Sequence, residues 1–469
     1  MATAAPDATT LRGTAPPSPA GPLEAPDPHL PLPPRLPVSV SRQSLSLAFG
    51  PYDFLDWARR TAGDVFTLRI GGQPYPLNVS CHPDHVKALF LAKPDDAPSL
   101  TADSPVRPFV GPDTVLTARG ARHLRQRRLL LPSFHGDAIA AYTESIERAI
   151  DRELDTWRQG QVIDMAHRMS SVTLDVIMAG VFGFEGRPQP GSPEAELRRA
   201  LRAMNRIASR WWFVFAERPS QGHDTPRPPL SWILGPSYRA MEAIIASRRA
   251  MPEAERGADV LSLLLSATDE DGARLTDYEL RQELMTLVLA GHETTANSLA
   301  WACERLTRTP AAYDRLRELV RAGGEDAEAY VDATVHESMR IRPVVPMAGR
   351  LVRQPWRLGD VQVPAGSAVM ANMVLLQRRE DLYPQPMAFL PERFLGQPAG
   401  TYEWIPFGGG TRSCLGAALA MAEQRVVLRE LARRFDLSAD RPQPERARVR
   451  NVVVIPSRGG RVRVERVVA

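Results

Sequence analysis

Along most of the chain, apolar residues recur three and four positions apart, the spacing of one face of an α-helix, and only short stretches alternate with period two. That pattern predicts a mainly α protein with small β-sheets. Helices are expected over Pro51–Thr61, from about Pro83 to Leu91, and over Gly136–Arg158, Ile163–Phe182, Pro193 to about Phe215 and Tyr238–Ala250. Ser192 and Pro193 supply a cap and a first-turn proline for one of them. Strands are expected near Val65–Ile70, Pro76–Val79, Trp356–Asn372 and Val449–Val467, and the proline-bearing Ser99–Leu116 reads as a loop.

The longest helical pattern begins at a capping box, Thr276 with Glu279, and runs until Pro310 stops it. About thirty residues at ~1.5 Å each would span roughly 45 Å. Its middle, LAGHETTANSLAW, sets Gly291, His292, Glu293, Thr294 and Thr295 into an otherwise apolar helix. Such departures from local rules mark functional sites. A helical threonine can bond back to a carbonyl one turn earlier, and Gly291 lets another group come close.

A second departure is Pro406–Ala420, PFGGGTRSCLGAALA. Gly408, Gly409 and Gly410 reach backbone conformations closed to other residues and leave room for a flat ligand against the main chain. The pattern from Leu415 to about Phe435 is helical, which puts Cys414 at a helix start, where dipole and free N–H groups favour a thiolate. Zinc would want cysteines or histidines at short spacing, but Cys81 and Cys303 are distant and no histidine follows Cys414. A phosphate loop lacks its Gly-Lys-Ser/Thr, and a dinucleotide fingerprint has Ser413 where its third glycine should be. A cysteine hydrolase would need a histidine from elsewhere, and a buried structural cysteine remains the plainer alternative.

Composition narrows the classes. In 469 residues no linker interrupts the pattern after a Pro/Ala-rich leader, so residues 1–37 read as a disordered or extended leader and 38–469 as a single domain. The formal charge is only +4, with Lys87 and Lys93 the only lysines, which argues against a nucleic-acid partner. The start of the chain lacks a signal peptide and no apolar run is long enough for a membrane anchor, so a soluble, cytoplasmic protein is expected. Three cysteines indicate no disulfide framework.

PFGGGTRSCLG resembles the haem-binding signature of the cytochrome P-450 family, with Phe407, Gly410, Arg412, Cys414 and Gly416 at its defining positions. The resemblance implies that Cys414 is the axial ligand of haem b, that turn N–H groups near Gly408 bond its sulfur, that Phe407 packs beside it and that Arg412 pairs with a propionate. Ala290, Gly291, Glu293 and Thr294 are similar to the family's oxygen-pocket motif. They imply an acid–alcohol pair, Glu293 and Thr294, that feeds the protons O–O cleavage needs, with His292 a helix neighbour rather than a second iron ligand. His123 and Arg127, four apart, would alone read as a solvated basic face. By resemblance they contact the propionates, as Arg350 would.

Glu337 and Arg340 would alone be a surface ion pair; with Arg393 they match the family's fold-locking network and are structural. Leu289, Val345, Met347, Val452 and Val453 are expected at the substrate pocket, with Trp211 and Trp212 near a lid that includes the Pro219–Pro229 loop. Arg122, Arg125 and Arg128 would form part of a basic patch for an acidic ferredoxin. The implied fold is the P-450 helical prism with small sheets, haem lying between the long helix and the helix after Cys414. The implied activity is a monooxygenase that inserts one atom of O2 into an apolar substrate. No flavin or NAD module is present, so electrons would come from a ferredoxin and an NAD(P)H-dependent ferredoxin reductase. The protein is expected to be a monomer. A peroxide-driven peroxygenase or an isomerase is the alternative, and a non-catalytic haem carrier or sensor a third. A fatty acid, a terpenoid or steroid, or a polyketide-like secondary metabolite would suit the pocket.

Overall fold

The computed structural model describes residues 26–468 apart from 95, 105, 135, 187, 209–212, 269–271 and 399. Trp211 and Trp212 lie outside the described residues.

The capping box forms as its spacing requires. Glu279 N–H donates to Thr276 Oγ1 (3.2 Å) and Thr276 N–H donates back to the Glu279 carboxylate (2.9 Å). Two donors that a helix start leaves unsatisfied are thereby paired, and the helix runs for 31 residues, Asp277–Thr307. It packs along the Met165–Phe182 helix, and Gly291 is what allows the approach: a Cβ there would lie 2.5 Å from Ile177 Cδ1. Thr173 Oγ1 donates to the His292 carbonyl at 2.8 Å across the same contact. The group that Gly291 admits is therefore a neighbouring helix.

Around this helical body lie small sheets. One has Val65–Leu68, Leu77–Ser80, Ala368–Asn372 and Met347–Leu351 side by side, its middle pair parallel and its outer pairs antiparallel. A second joins Val162–Ile163, Val462–Val467 and Phe435–Ala439. Two hairpins complete them, Trp356–Leu358 with Val361–Val363 and Ala447–Arg450 with Val453–Pro456.

Several boundaries differ from the expected ones. The helix read from Ile163 starts at Met165, capped by Asp164, because Val162–Ile163 is taken by pairing to Val462–Arg463. The helix read from Tyr238 begins at Leu230 and carries Pro236 within it. Ser99–Leu116 contains two short helical turns, Leu100–Asp103 and Arg107–Val110. The helices Val40–Phe49 and Val260–Ser266 had no counterpart in the expected elements. The end of the leader is tied down: Thr67 N–H donates to the Pro34 carbonyl (2.8 Å), Gln362 N–H to that of Pro31 (2.9 Å), and Leu36 is buried. No helix among the described residues is long and apolar enough to cross a membrane.

The Glu337 network fixes the cysteine loop's starting point. Arg340 donates to both Glu337 oxygens (2.6 and 2.7 Å) and to the carbonyls of Gln377, Pro386 and Ala388. Arg393 Nε lies 3.5 Å from Glu337, Arg393 donates to the Gln385 carbonyl, and all three side chains are fully buried. Gln377, held by Arg340, accepts from Ile405 N–H at 2.8 Å, and Trp404 Nε1 donates to the His336 carbonyl at 3.0 Å. The chain thus enters Pro406–Cys414 from two fixed residues.

Candidate active site

Within the cysteine loop the three glycines have different reasons. Gly408 sits at φ +67° with open space where a side chain would be. A Cβ on Gly409 would strike the Phe90 ring, and one on Gly410 (φ +66°) would strike the Phe90 carbonyl. Those two make room for the end of the Pro83–Leu91 helix, not for a ligand. Gly408 and Gly416 are the loop glycines that leave free space. The loop closes on itself by Cys414 N–H to the Phe407 carbonyl (2.9 Å) and Gly408 N–H to that of Ile405 (3.0 Å). Phe407 stands edge-on to Trp404, ring centroids 5.9 Å apart.

The helix after the loop begins at Ala417 with Gly416 as its cap. Gly416 N–H bonds the Cys414 sulfur, and that bond and Arg127 favour the thiolate, but burial outweighs them and raises the thiol's pKa. The helix start alone does not make a thiolate here; a cation at the sulfur would. Cys414 is nevertheless exposed. A thiol that is desolvated by surrounding protein yet accessible faces an interior space.

The long helix presents a matching feature. Its residues from Leu284 to Val288 are buried, yet Ala290 is exposed, and Gly291, Glu293 and Thr294 are partly so. Ala290 and Thr294 share one face a turn apart, and Thr294 Oγ1 donates to the Ala290 carbonyl at 2.7 Å, the back-bond expected of a helical threonine. Glu293 is not joined to that hydroxyl: its carboxylate is ion-paired with Arg450 from the far end of the chain. His292 is buried against the helix, its Nδ1 2.6 Å from the Val288 carbonyl. The two helices are bridged by Gln424 to Ser298 (2.7 Å) and by Glu423 to Thr295; burial pushes the Glu423 carboxyl up to about 8.

Beside the loop gathers a set of cations. Arg127 donates to the Ser413 carbonyl (2.8 Å) and Oγ (3.0 Å). His123 has both ring nitrogens against carbonyls, Nδ1 to Val115 (2.9 Å) and Nε2 to Thr411 (3.1 Å). Burial and the neighbouring Arg412 push its pKa down, and a neutral ring can donate to only one of the two. Arg412 donates to the carbonyls of Val115, Leu116 and Ala118. Burial lowers its pKa to about 10, with Arg350, Arg119 and Arg127 adding repulsion. Arg350 is 5% exposed, donates to the Gly349 carbonyl (3.1 Å), and is likewise lowered to about 10 by burial. Among the described residues no carboxylate pairs with Arg127, Arg350 or Arg412. Holding buried cations without counter-charges costs several kcal/mol, roughly, unless an anion arrives. A flat ligand bearing two carboxylates and a thiophilic metal, which is what haem b is, fits the sulfur, the bare backbone at Gly408 and these cations.

Other expectations fare differently. Leu289, Val345 and Met347 are half-buried, and Val452 is 43% exposed at a hairpin tip. Val453, placed with it at the pocket by the sequence, is 5% exposed and packed with Trp301, Val344 and Ile455, as the first residue of a strand buried along its whole length. The basic patch is partly neutralised: Arg122 pairs with Asp113 and Glu279 (3.3 Å each), and Arg125 lies 3.9 Å from Glu279. Arg450 escaped the sequence reading, since nothing in its Arg-Val-Arg surroundings marks it.

The family model described as cytochrome P-450 matches residues 30–464. "Putative cytochrome P-450 135B1" of Mycobacterium tuberculosis is 34% identical over 92% of this chain and 91% of its own. "Putative cytochrome P-450 137" of the same species is 36% identical over 80% and 78%. Among solved structures, a retinoic acid-bound cyanobacterial CYP120A1 superposes with a TM-score of 0.75 at 23% identity, over 94% of this chain and all of that one. The haem domain of cytochrome P-450DA does so at 0.75 and 24%, over 94% and 98%.

Proposed function

The chain belongs to the cytochrome P-450 family, and from that premise we propose that it inserts one oxygen atom into a C–H or C=C bond of an apolar small molecule, drawing electrons from a separate ferredoxin and NAD(P)H-dependent reductase. For hydroxylation the balance is RH + O2 + NAD(P)H + H+ giving ROH + H2O + NAD(P)+. Haem b, when bound, supplies the iron at which dioxygen is reduced.

The protein's own part is to hold and to donate. Cys414 would ligate the iron through its accessible sulfur, and Arg412, Arg350, Arg127 and His123 would take the propionates. Ala290 keeps the facing turn of the long helix small. Thr294 holds a proton at Oγ1 and would pass it on, and Glu293 would resupply it after leaving Arg450. Leu289, Val345, Met347 and Val452 give the substrate an apolar wall.

The observation that carries this reading is the accessible thiol of Cys414, flanked by Arg127, Arg350 and Arg412, with which no carboxylate among the described residues pairs. Reduction under carbon monoxide should give the red-shifted Soret band of a thiolate-ligated haem, and Cys414→Ser should abolish it. A wild-type spectrum without that band would remove the ligand assignment. Thr294→Ala should divert NAD(P)H oxidation from product to hydrogen peroxide. Unchanged coupling would remove the relay role.

A further inference from the structure

Glu293 and Thr294 are adjacent in sequence, yet each is engaged elsewhere: the hydroxyl with the Ala290 carbonyl at 2.7 Å, the carboxylate with Arg450. Arg450 is the last residue of the strand Ala447–Arg450, in register with Val453 across a two-residue turn of Asn451 and Val452. Asn451 takes φ +54°, which fits such a tight turn. The root of the hairpin is clamped: Val453 and Ile455 pack against Trp301 of the long helix, Trp301 Nε1 donates to the Val454 carbonyl (3.1 Å), and Val454 N–H donates to that of Val344 (2.7 Å). The tip, with Val452 43% exposed and Arg450 beside it, lies outside that cluster.

We propose that Arg450 is a positioning residue that parks Glu293 away from Thr294, and that a bulky ligand meeting Val452 shifts the hairpin tip and breaks the ion pair. Proton supply is then tied to occupancy of the pocket. The inference rests on the reading of Glu293 and Thr294 as the acid–alcohol pair for its catalytic consequence, but not for its linkage to binding. If a bulky ligand must break the pair to bind, removing the pair removes that cost, and the ligand binds more tightly by the factor the pair is worth.

Two measurements decide it. In the haem-free protein, urea unfolding of wild type, Glu293→Gln, Arg450→Gln and the double variant forms a cycle that reads the pair directly. Coupling between the two sites is expected, and additive effects would overturn the pair. In the haem-loaded protein, the bulky azole clotrimazole and the small ligand imidazole are titrated by their Soret shifts. Arg450→Gln and Glu293→Gln are each expected to tighten clotrimazole roughly fivefold relative to imidazole, the factor for a partly exposed ion pair near the upper end of its range. The double variant is expected to gain no more than either single one, and Arg450→Lys to restore the wild-type ratio. A merely structural arginine would weaken both ligands or leave the ratio unchanged, and that result would overturn the proposal. Should Glu293→Gln tighten clotrimazole and yet leave product formation unchanged, the parking stands and the proton-relay reading falls. If Glu293→Gln slows product formation with no change in the ratio, the relay stands and the proposal falls.

Discussion

Two groups of arginines, one fully buried and one buried or half-buried, surround the cysteine loop, and they are built on opposite principles. Around Glu337 one carboxylate serves Arg340 and lies 3.5 Å from Arg393, and other guanidinium donors of the two reach the carbonyls of Gln377, Gln385, Pro386 and Ala388. Beside Cys414, Arg127, Arg350 and Arg412 reach carbonyls too, but no described carboxylate faces them, and burial drags Arg350 and Arg412 down to about 10. The first group carries its own counter-charge as the chain folds. The second is open among the described residues, and in the proposed reading an anionic ligand closes it. Charge that holds a fold brings its own partner; charge that holds a ligand waits for one.

Breaking the closed group should have the largest effect. Glu337→Gln leaves Arg340 and Arg393 buried beside a neutral amide, a loss of about 3–5 kcal/mol. That is a large share of a typical domain's stability. Urea unfolding of the haem-free variant should show a midpoint far below wild type, or no folded protein, and haem should not rescue it. Little change in the haem-free protein would mean the network is no lock.

The open group should respond the other way. Arg412→Leu removes a desolvated, repelled cation, so the haem-free protein should be as stable as wild type or more so. The haem-loaded protein should lose a charge-assisted bond worth about 1.5–3 kcal/mol, read as roughly 10- to 100-fold faster haem transfer to apomyoglobin. If the haem-free variant were instead destabilised as strongly as Glu337→Gln, the contrast between the groups would fail.

The same contrast separates what could be read in the sequence from what could not. The Glu337–Arg340 pair, which alone would read as a surface ion pair, and the Cys414 loop, which alone leaves a structural cysteine open, are legible through the family resemblance. The capping box rests on residues within a few positions of one another, so local spacing sufficed. The long helix is legible for that reason, and Pro310 follows its end at Thr307 closely. What failed depends on distant partners. Val162–Ile163 is a strand only because Val462–Arg463 lies beside it, and Gly409 and Gly410 are glycines because Phe90 arrives there. The helix expected from Tyr238 runs from Leu230 to Ala250 with Pro236 inside it. Val453 follows Val452 in sequence, yet the first is packed against Trp301 and the second is exposed in the turn. Arg450 is the sharpest case, since its meaning lies in Glu293, far away along the chain.

The smallest test of the contrast concerns His123, which belongs to the open group. Its folded-state pKa is depressed below the ordinary 6.5 by burial and by Arg412, against the pull of the Thr411 and Val115 carbonyls. Above that value the ring is neutral whether the chain is folded or not, and it contributes no pH dependence. As the pH falls below it, the unfolded chain takes up a proton that the folded haem-free chain resists, so stability declines at about 1.4 kcal/mol per unit of depression. His123→Phe removes this component. Urea midpoints of the haem-free proteins between pH 8 and pH 5, roughly the window in which an ordinary histidine titrates, should therefore drift in the variant's favour on the acid side only. With haem bound, propionates would neutralise Arg412 and raise the ring's pKa, and the acid-side drift should shrink. A drift of equal size with and without haem would mean that no anion closes this group, and the two arginine clusters would then differ only in degree.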